Sequence, residues 1–461
     1  MGKLCKFRVY SILNQMLMRG DKFLKLLRRL KTRGVKIPSN KERTDYQSIK
    51  LLKSPKYLYY PMEMHIGAPA EIKVKPGDYV KCGSLLGERD GPVSANIHSS
   101  VSGKVVEIKE DYPSFRGESK TIVVENDGKY EEDLLEEIDE ELTPEIISKR
   151  IQEAGITGKG GAGFPTHIKF DSDEEGLNYL IVNAAECEPY STTDNRVAIE
   201  FASEIIQMID ALHKAYHLKS SIIAIEDEQI QAIEVLKRVK EENGADYIKI
   251  AELPTIYPQG HGALQIKTIL DLEVAEHENS DDVGVLQSNV STIKAMYDAV
   301  FENRPFTHRV VTVTGPKINN ANNFMIPIGR PVEYIIEKSG GLRDANVKMI
   351  DGGPMMGLPF DDIRIPVAKD TTTLLFFPHD EKIERQDCIR CSRCVESCPV
   401  ALQPILISNA WERNRLDLAK DLQAEVCIQC GLCTYICPAK IPLLANIRDA
   451  IQAIEEEKED D

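Results

Sequence analysis

Eight of the eleven cysteines lie in two short runs near the end of this 461-residue chain. Both runs have the spacing C-x2-C-x2-C-x3-C-P, in which three closely spaced thiolates can bind three corners of one [4Fe–4S] cube. The fourth cysteine precedes a proline and faces a second cube, so the spacing predicts two clusters that exchange their fourth ligands. The predicted ligand sets are Cys388, Cys391, Cys394 and Cys437 for one cluster, and Cys427, Cys430, Cys433 and Cys398 for the other.

Two other interpretations explain these cysteines less well. A structural zinc ion usually takes pairs of Cys-x-x-Cys, and a ferredoxin fold without clusters needs none of the eight thiols. Residues 399–426 separate the runs, and residues 411–422 have a helical pattern, which favours an α-helical ferredoxin module over a compact bacterial ferredoxin. Cysteines gathered for metal binding also predict a reducing compartment, the cytosol.

A glycine-rich segment, residues 155–164 (GITGKGGAGF), is the second stretch whose residue types could bind a ligand. Glycines let the backbone approach a ring or a phosphate closely, and their free N–H groups can form a nest for an anion. Lys159 and Lys169 add positive charge, and Phe164 could stack on a planar ring. Because a lone glycine-rich loop is a weak signal, this segment needs supporting context.

The charge of the chain is unevenly distributed. Residues 1–57 hold sixteen Lys and Arg against three Asp and Glu, a net charge of +13, whereas the whole chain carries −16. Residues 10–30 have apolar side chains near helical spacing with basic residues between them, which predicts an amphipathic helix. Such a helix fits either anionic lipid or a protein surface, of this chain or of a neighbouring subunit. The acidic remainder of the chain excludes nucleic acid as a partner.

The elements that position these motifs form several domains, so the predicted fold is multidomain α/β. Residues 75–86 resemble the small β-sandwich of lipoyl and biotinyl domains, in a scaffolding role. Strand-like runs at 179–182 and 221–225 alternate with helical patterns, which predicts a largely parallel, Rossmann-like sheet. The predicted units are a basic extension (1–57), a β-sandwich (58–128), an α/β domain (140–305), a small mixed β domain (306–372, with strands at 309–313 and 347–350) and a ferredoxin domain (378–450).

A family resemblance runs through most of the chain. The loop GITGKGGAGFPT closely resembles the flavin and NADH loop of the nucleotide-binding subunit of respiratory complex I, and that of RnfC, the C subunit of the Rnf electron-transport complex. Residues 182–190 (VNAAECEPY) match the acidic flavin segment of the same family. The chain is identified as a member of the RnfC family, as a divergent paralogue. Further RnfC signatures follow in order at 65–69, 95–98, 257–260, 289–292, 314–315, 327–329 and 352–357.

The resemblance implies an FMN site and an NADH site. It implies that NADH stacks at Phe164, beside the positive charge of Lys159 and Lys169, and that the small domain has a β-grasp fold. Cofactors carry the chemistry in such proteins, so no side chain is expected to act as a catalytic acid or nucleophile. The implied FMN-binding residues are Gly158, Gly160, Gly161, Gly163, Asn183, Glu186, Glu188 and Asn289.

The implied activity is that of an NADH:acceptor oxidoreductase subunit of translocase type. It passes electrons between nicotinamide, FMN and two [4Fe–4S] clusters to partner subunits, with a ferredoxin-linked partner among them. The flavin is needed because nicotinamide transfers two electrons and a cubane transfers one. The implied location is cytoplasmic and peripheral, on the inner face of the cell membrane, and the chain has no apolar run near the roughly 18 residues that a span needs.

Two segments depart from the family pattern. Members of the RnfC family usually open with Gly-Gly-x-His-Pro, whereas residues 33–38 here read RGVKIP. Relatives tend to read Tyr-Pro-Gln-Gly-Gly-Glu-Lys, whereas residues 257–263 here read YPQGHGA and lack the charged pair. Two alternatives therefore stay open: a soluble paralogue that feeds another reductase, of amino-acid-reductase or cobalamin type, and a non-catalytic relay subunit. The β domain before the glycine-rich segment argues against the cobalamin type.

Overall fold

The computed structural model describes residues 33–158, 160–161, 163–171, 176–275, 278–379 and 384–460. Within these ranges no helix is both long enough and apolar enough to cross a membrane. The amphipathic helix predicted for residues 10–30 lies outside the described residues.

The first domain is built from seven strands in two small antiparallel sheets. Alternating apolar side chains of the long hairpin, such as Val105, Ile122 and Val124, are fully buried, as expected for strands with one face on a core. The strands are β2 (Tyr57–Pro61), β3 (Glu71–Ile72), β4 (Tyr79–Val80), β5 (Leu85–Glu88), β6 (Ile97–His98), β7 (Gly103–Ser114) and β8 (Gly117–Asn126). They form sheets with the orders β2-β8-β7-β4 and β3-β5-β6.

The second domain is an α/β unit built on four parallel strands. These are β9 (Tyr179–Ala184), β10 (Ser220–Glu226), β11 (Ile248–Leu253) and β12 (Val285–Asn289), in the order β11-β10-β9-β12. The strands predicted at 179–182 and 221–225 are confirmed as parts of β9 and β10, and every residue of β10 is buried. The carboxyl ends of these strands meet at one edge, where ligands bind in open parallel sheets.

In the described part of this domain, seven helices accompany the sheet. Thr143 caps the first of them by accepting a hydrogen bond from the backbone N–H of Ile146, and Pro144 occupies its first turn, both of which favour helix initiation. The helices are α1 (Pro144–Glu153), α2 (Thr166–Phe170), α3 (Thr193–Glu200), α4 (Ala202–Ala215), α5 (Ile230–Glu242), α6 (Gly262–Leu270) and α7 (Val290–Phe301).

The third domain is a mixed six-stranded sheet with one helix. Its elements are β13 (His308–Thr314), β14 (Asn322–Pro327), α8 (Val332–Lys338), β15 (Val347–Asp351), β16 (Leu358–Phe360) and β17 (Thr373–Pro378). The central pair, β13 and β17, is parallel, and β13 pairs with β14 in antiparallel fashion. The strands predicted at 309–313 and 347–350 are confirmed within β13 and β15.

The edge strand of this third sheet comes from the N-terminal part of the chain. It is β1 (Lys50–Leu51), which runs parallel to β14 and gives the sheet the order β1-β14-β13-β17-β15-β16. The preceding residues are also attached to the body, because Val35 forms an antiparallel bridge with Tyr257. The guanidinium of Arg43 donates hydrogen bonds to carbonyl oxygens of residues 315, 318 and 319. The described part of the basic extension is therefore an integral strap across the second and third domains.

The last domain is helical and carries the cysteine runs. The helical pattern of residues 411–422 is divided between two helices, because one helix ends at Glu412 and the next begins at Leu416. Asn414 between them has a φ of 53°, the left-handed conformation that ends a helix. The helices are α9 (Arg393–Glu396), α10 (Pro404–Glu412), α11 (Leu416–Asp421), α12 (Leu432–Ile436) and α13 (Leu443–Asp460), with a 3-10 turn at Ala424–Val426.

Candidate functional site: a glycine loop and two cysteine sets

The glycine loop (residues 155–164) is closed at its base and open at its tip. The N–H of Gly158 donates to the carbonyl of Phe164 at 2.8 Å, and that of Gly163 donates to the carbonyl of Gly158 at 3.3 Å. Gly160 and Gly161 at the tip are exposed, and a Cβ on Gly161 would meet no atom within 4 Å. The tip can therefore approach a ligand with bare backbone. Lys159 lies outside the described residues.

The underside of the loop rests on the first and third domains. The carbonyl of Gly163 accepts a hydrogen bond from the N–H of Ile66 at 3.1 Å. A Cβ on Gly163 would lie 2.7 Å from Arg116 Nη2 and 3.0 Å from Asp370 Oδ2, two groups that form an ion pair. Only glycine fits this position without displacing the ion pair, so side chains from two other domains hold the loop.

A buried amine supports the start of the loop. Lys369 is fully buried and donates hydrogen bonds to the carbonyl oxygens of Asn96 and Gly155. Burial lowers the pKa of this amine to about 7. No motif predicts Lys369, Asp370 or Arg116 as part of the site, because all three lie far from the glycine loop in the chain.

Glu186 and Asn289, both predicted site residues, each form a hydrogen bond with Asp194. No motif had indicated Asp194. Glu186 Oε1 accepts hydrogen bonds from the Ser191 hydroxyl at 2.7 Å and from the N–H of Asp194 at 3.0 Å, so it caps α3. The amide of Asn289 donates to Asp194 Oδ2 at 2.6 Å, and its oxygen caps α7 through the N–H of Ser291. Burial, and then the charge of Glu186, raises the pKa of Asp194 well above its usual range.

Asn183 lies at the carboxyl end of β9 and holds the neighbouring turn. Its amide nitrogen donates to the carbonyl of Gly260 at 2.8 Å. Its oxygen accepts hydrogen bonds from Gln265 at 2.7 Å and from the N–H of Ala185 at 3.1 Å. The side chain therefore fixes the carboxyl edge of the sheet from within.

Glu188 lies at the contact between the α/β domain and the third domain. Its two carboxylate oxygens accept hydrogen bonds from the N–H groups of Met355 and Met356, at 3.1 and 3.0 Å. Gly353 has no room for a side chain, because a Cβ there would lie 2.1 Å from Glu188 Oε2. Burial raises the pKa of Glu188 to about 7. This carboxylate joins the α/β domain to a loop of the third domain, and both of its oxygens are engaged there.

Phe164 and Lys169 lie together at the end of the loop. The ammonium of Lys169 lies 5.8 Å from the centre of the Phe164 ring, within the range of a cation–π contact. Phe164 is half-buried, so part of its ring stays available to a planar ligand.

One of the two predicted cysteine sets lines a common cavity. A cavity in the last domain is lined by Cys398, Cys427, Cys430 and Cys433, here called the inner set. Burial raises the pKa of the Cys427 thiol, and the nearby thiol of Cys398 raises it further. The remaining four, Cys388, Cys391, Cys394 and Cys437, form the outer set, in which the pKa of Cys394 is raised by burial and then by Cys437.

The two sets differ in exposure. Three cysteines of the inner set are buried and Cys427 is half-buried, whereas Cys388 and Cys391 of the outer set are exposed. Among the described residues, no three His, Cys, Asp or Glu side chains are grouped to hold one metal ion. In a cubane, by contrast, each thiolate binds an iron of its own.

The inner set touches the α/β and third domains. Cys430 and Leu432 form a buried apolar cluster with Tyr257, and Cys187 and Met355 pack against it. A Cβ on Gly431 would lie 2.8 Å from the carbonyl oxygen of Met355, so the contact is close. This cluster brings one cysteine set next to the segment that carries Asn183 and Glu186.

The residues present fit the two kinds of cofactor that the sequence implies. For a flavin mononucleotide, the open glycine tip faces Asn289, whose side chain lies 3.8 Å from the position of a Gly160 Cβ. That leaves a bare backbone cradle beside a polar amide, as a phosphate-bearing ligand needs. For iron–sulfur clusters, two sets of four thiols supply the soft donors that iron in a cubane takes.

Four domain families match consecutive parts of the chain. They are the RnfC barrel sandwich hybrid domain at residues 31–129, the Nuo51 FMN-binding domain at 151–298, the SLBB domain at 310–359 and the 4Fe-4S dicluster domain at 387–441. Among solved structures, a chain of an NAD+-reducing [NiFe]-hydrogenase superposes with a TM-score of 0.49 and 17% identity, over 67% of this chain and 62% of that one.

Curated relatives cover nearly the whole chain. The C subunit of the proton-translocating ferredoxin:NAD(+) oxidoreductase complex of Clostridium ljungdahlii is 35% identical over 84% of this chain and 86% of its own length. The Na(+)-translocating counterpart of Acetobacterium woodii is 36% identical over 91% and 96%. The C subunit of the ion-translocating oxidoreductase complex of Rhodobacter capsulatus is 37% identical over 80% and 73%. The chain thus belongs to the RnfC family, the C subunits of Rnf-type ion-translocating oxidoreductase complexes, with FMN and two [4Fe–4S] clusters as its cofactors.

Proposed function

We propose that this chain is the NADH-linked electron-transfer subunit of a membrane-associated Rnf-type complex. The observation that carries the proposal is the buried cluster of Tyr257, Cys430 and Leu432, which joins the inner cysteine set to the flavin domain. When bound, the flavin supplies the conversion between the two-electron chemistry of nicotinamide and the one-electron chemistry of a cubane. One NADH would deliver two electrons and a proton, so each cluster would take one electron and the proton would go to solvent.

The residues of the α/β domain divide between the two ligands. The exposed tip at Gly160 and Gly161, with Asn289 beside it, supports binding of the FMN phosphate and ribityl groups. Gly158 and Gly163 close the loop, Glu186 caps α3, and Asn183 holds the turn at Gly260. Phe164 and Lys169 are placed to receive the nicotinamide side of NAD(H). Glu188 acts on this site indirectly, because it links the α/β domain to Met355.

The exposure of the cysteine sets supports an order of electron transfer. The inner set is buried against the flavin domain, and Cys388 and Cys391 of the outer set are exposed. Electrons would therefore pass between the flavin and the inner cluster, and the outer cluster would exchange them with a partner subunit. That partner belongs to the rest of the complex or is linked to ferredoxin. We place the chain on the cytoplasmic face of the membrane, as a peripheral subunit.

An anaerobic titration tests the proposal. The full chain is purified with its cofactors, and we expect about eight irons and one FMN per chain from the two cluster motifs and the single flavin loop. Addition of NADH should bleach the flavin absorbance and then the cluster absorbance. Full iron and FMN content without bleaching by NADH would overturn the NADH-linked function and leave a relay subunit fed by another donor.

Fractionation tests the membrane association. Full-length chain expressed with its own membranes should sediment with them, and deletion of residues 1–32, which keeps the strap that begins at residue 33, should release it if the basic extension makes the contact. A chain that stays in the supernatant in both forms, yet is reduced by NADH, would instead indicate a soluble paralogue that serves a different reductase.

A further inference from the structure

Tyr257 connects the flavin domain to a cluster ligand directly. Its hydroxyl donates a hydrogen bond to the carbonyl oxygen of Cys430 at 2.6 Å, and the residue is only 2% exposed. Its backbone pairs on the other side with Val35 of the N-terminal strap. The tyrosine is therefore a fixed donor to the inner set.

Gly260, at the other end of the same turn, contacts the segment that contains Asn183 and Cys187. The carbonyl of Gly260 accepts a hydrogen bond from Asn183 at 2.8 Å, and its N–H donates to the sulfur of Cys187 at 3.3 Å. A Cβ on Gly260 would lie 2.9 Å from both the carbonyl oxygen of Ala185 and the sulfur of Cys187. Residues 257–260 thus span the distance between Asn183 and Cys430 with hydrogen bonds at both ends.

We propose that this turn, residues 257–260, is a bridge that fixes the separation between the flavin and the inner cluster, with Tyr257 as its positioning residue. This inference rests on the proposed function. It adds the structural element that would keep the flavin and the inner cluster at a fixed distance. Its consequence is specific: the bridge controls the one-electron step from the reduced flavin to the oxidised inner cluster. The bridge acts on the step that follows flavin reduction, so reduction of the flavin by NADH should not depend on it.

The test replaces Tyr257 by Phe, which removes the hydroxyl and keeps the ring. Tyr216→Phe is the matched control, because the buried hydroxyl of Tyr216 also donates to a backbone carbonyl, that of Phe170, within the flavin domain. Both variants are loaded with FMN and iron and mixed with NADH under anaerobic stopped flow. Flavin bleaching and cluster bleaching are followed separately, and the inner-cluster signal is recorded by electron paramagnetic resonance.

We expect flavin bleaching at the wild-type rate in both variants. In Tyr257→Phe the bleaching of the clusters should slow by about fivefold, since loss of one buried hydrogen bond weakens the docked arrangement by about that factor. The inner-cluster signal should shift in Tyr257→Phe and stay unchanged in Tyr216→Phe. A second variant, Gly260→Ala, disturbs the other end of the bridge and should slow the same step while the bond to Cys430 remains.

The outcomes separate the inference from the proposed function. Slow cluster bleaching with normal flavin bleaching supports the bridge. Wild-type cluster bleaching and an unchanged signal in Tyr257→Phe, with full iron and FMN, would overturn it and leave the proposed function intact. Absence of flavin bleaching by NADH in the wild type would overturn the proposed function itself, and a chemical reductant of the flavin would then serve to test the bridge.

Discussion

The amine of Lys369 lies 2.7 Å from the carbonyl oxygen of Gly155 and donates a hydrogen bond to it. The same amine donates to Asn96, so one side chain of the third domain ties the barrel sandwich domain to the start of the glycine loop. The flavin-binding loop is therefore held in place from outside its own domain. A substitution in the third domain that breaks this contact should therefore change the affinity for FMN.

Lys369→Met is the first prediction. Methionine keeps the unbranched shape but donates no hydrogen bond, so two buried carbonyl oxygens lose their donor at a cost of about 1–3 kcal/mol each. We expect a lower midpoint of thermal unfolding and FMN binding weakened by about tenfold, measured by fluorescence titration of the apoprotein. Lys149→Met is the control, because Lys149 is largely exposed on α1. Equal FMN affinity in both variants would contradict the prediction.

Two glycines of the loop should respond differently to alanine. A Cβ at Gly163 collides with the Arg116–Asp370 ion pair, whereas a Cβ at Gly161 meets open space, and both residues have a positive φ. The backbone strain of about 1–2 kcal/mol is thus common to both, and the collision is confined to Gly163. We expect Gly163→Ala to lower the thermal midpoint of the apoprotein further than Gly161→Ala does.

FMN titration completes this comparison. Gly161→Ala should weaken FMN binding clearly although it lowers the thermal midpoint of the apoprotein only a little. The reason is that it adds a methyl group to the open tip, where FMN would approach the backbone. Apoprotein midpoints that fall equally in the two variants would show that the ion pair does not support the loop.

Features that depend on local spacing could be predicted from the sequence. The cysteine sets and the glycine loop lie in short runs, because cubane ligation and close backbone approach depend on neighbouring residues. The two hydrogen bonds that Glu188 accepts could not be predicted, because the donors, Met355 and Met356, lie in another domain. They donate through backbone N–H groups, which no side-chain pattern reveals. Asp194 was missed for the same reason, because its importance depends on Asn289 at the end of a distant strand.

The break at Asn414 was also invisible to helical spacing. Apolar periodicity continues through residues 411–422, so the pattern alone predicts one helix. The left-handed conformation of Asn414 ends α10, where the N–H of Arg415 donates to the carbonyl of Ala410, and asparagine tolerates that conformation better than most residues. The presence of helices was therefore predictable from spacing, and their exact ends were not, because they depend on the conformation of single residues.

The exchange of fourth ligands between the cysteine sets yields the third prediction. Cys398 lies in sequence beside the outer set but lines the inner cavity with Cys427 and Cys430. We expect Cys398→Ser to disturb the cluster whose signal is lost in Cys430→Ser, and to leave the other signal unchanged. Electron paramagnetic resonance of the dithionite-reduced protein and iron analysis provide the measurement. If Cys398→Ser instead removed the signal that depends on Cys388, the ligand sets would follow sequence order and the crossover would be wrong.

Glu226 should make stability depend on pH. This residue ends β10, is 3% exposed, and burial raises its pKa from an ordinary 4.5 to about 7, against the opposing charge of Lys41. Because the folded state holds the proton more tightly, stability from this group is fully present below pH 4.5 and is lost as the pH rises through 7. The loss amounts to about 3 kcal/mol at most over that interval.

Glu226→Gln removes this titration and keeps the side-chain shape, so the variant should gain stability over the wild type as the pH rises. We expect the difference in thermal midpoint between Glu226→Gln and wild type to be larger at pH 8 than at pH 5, measured on the FMN-loaded chain without NADH. Glu241→Gln, at an exposed position of α5, should show no such change with pH. A difference for Glu226→Gln that stays constant between the two pH values would mean that the carboxyl group is already ionised in the folded chain at pH 5.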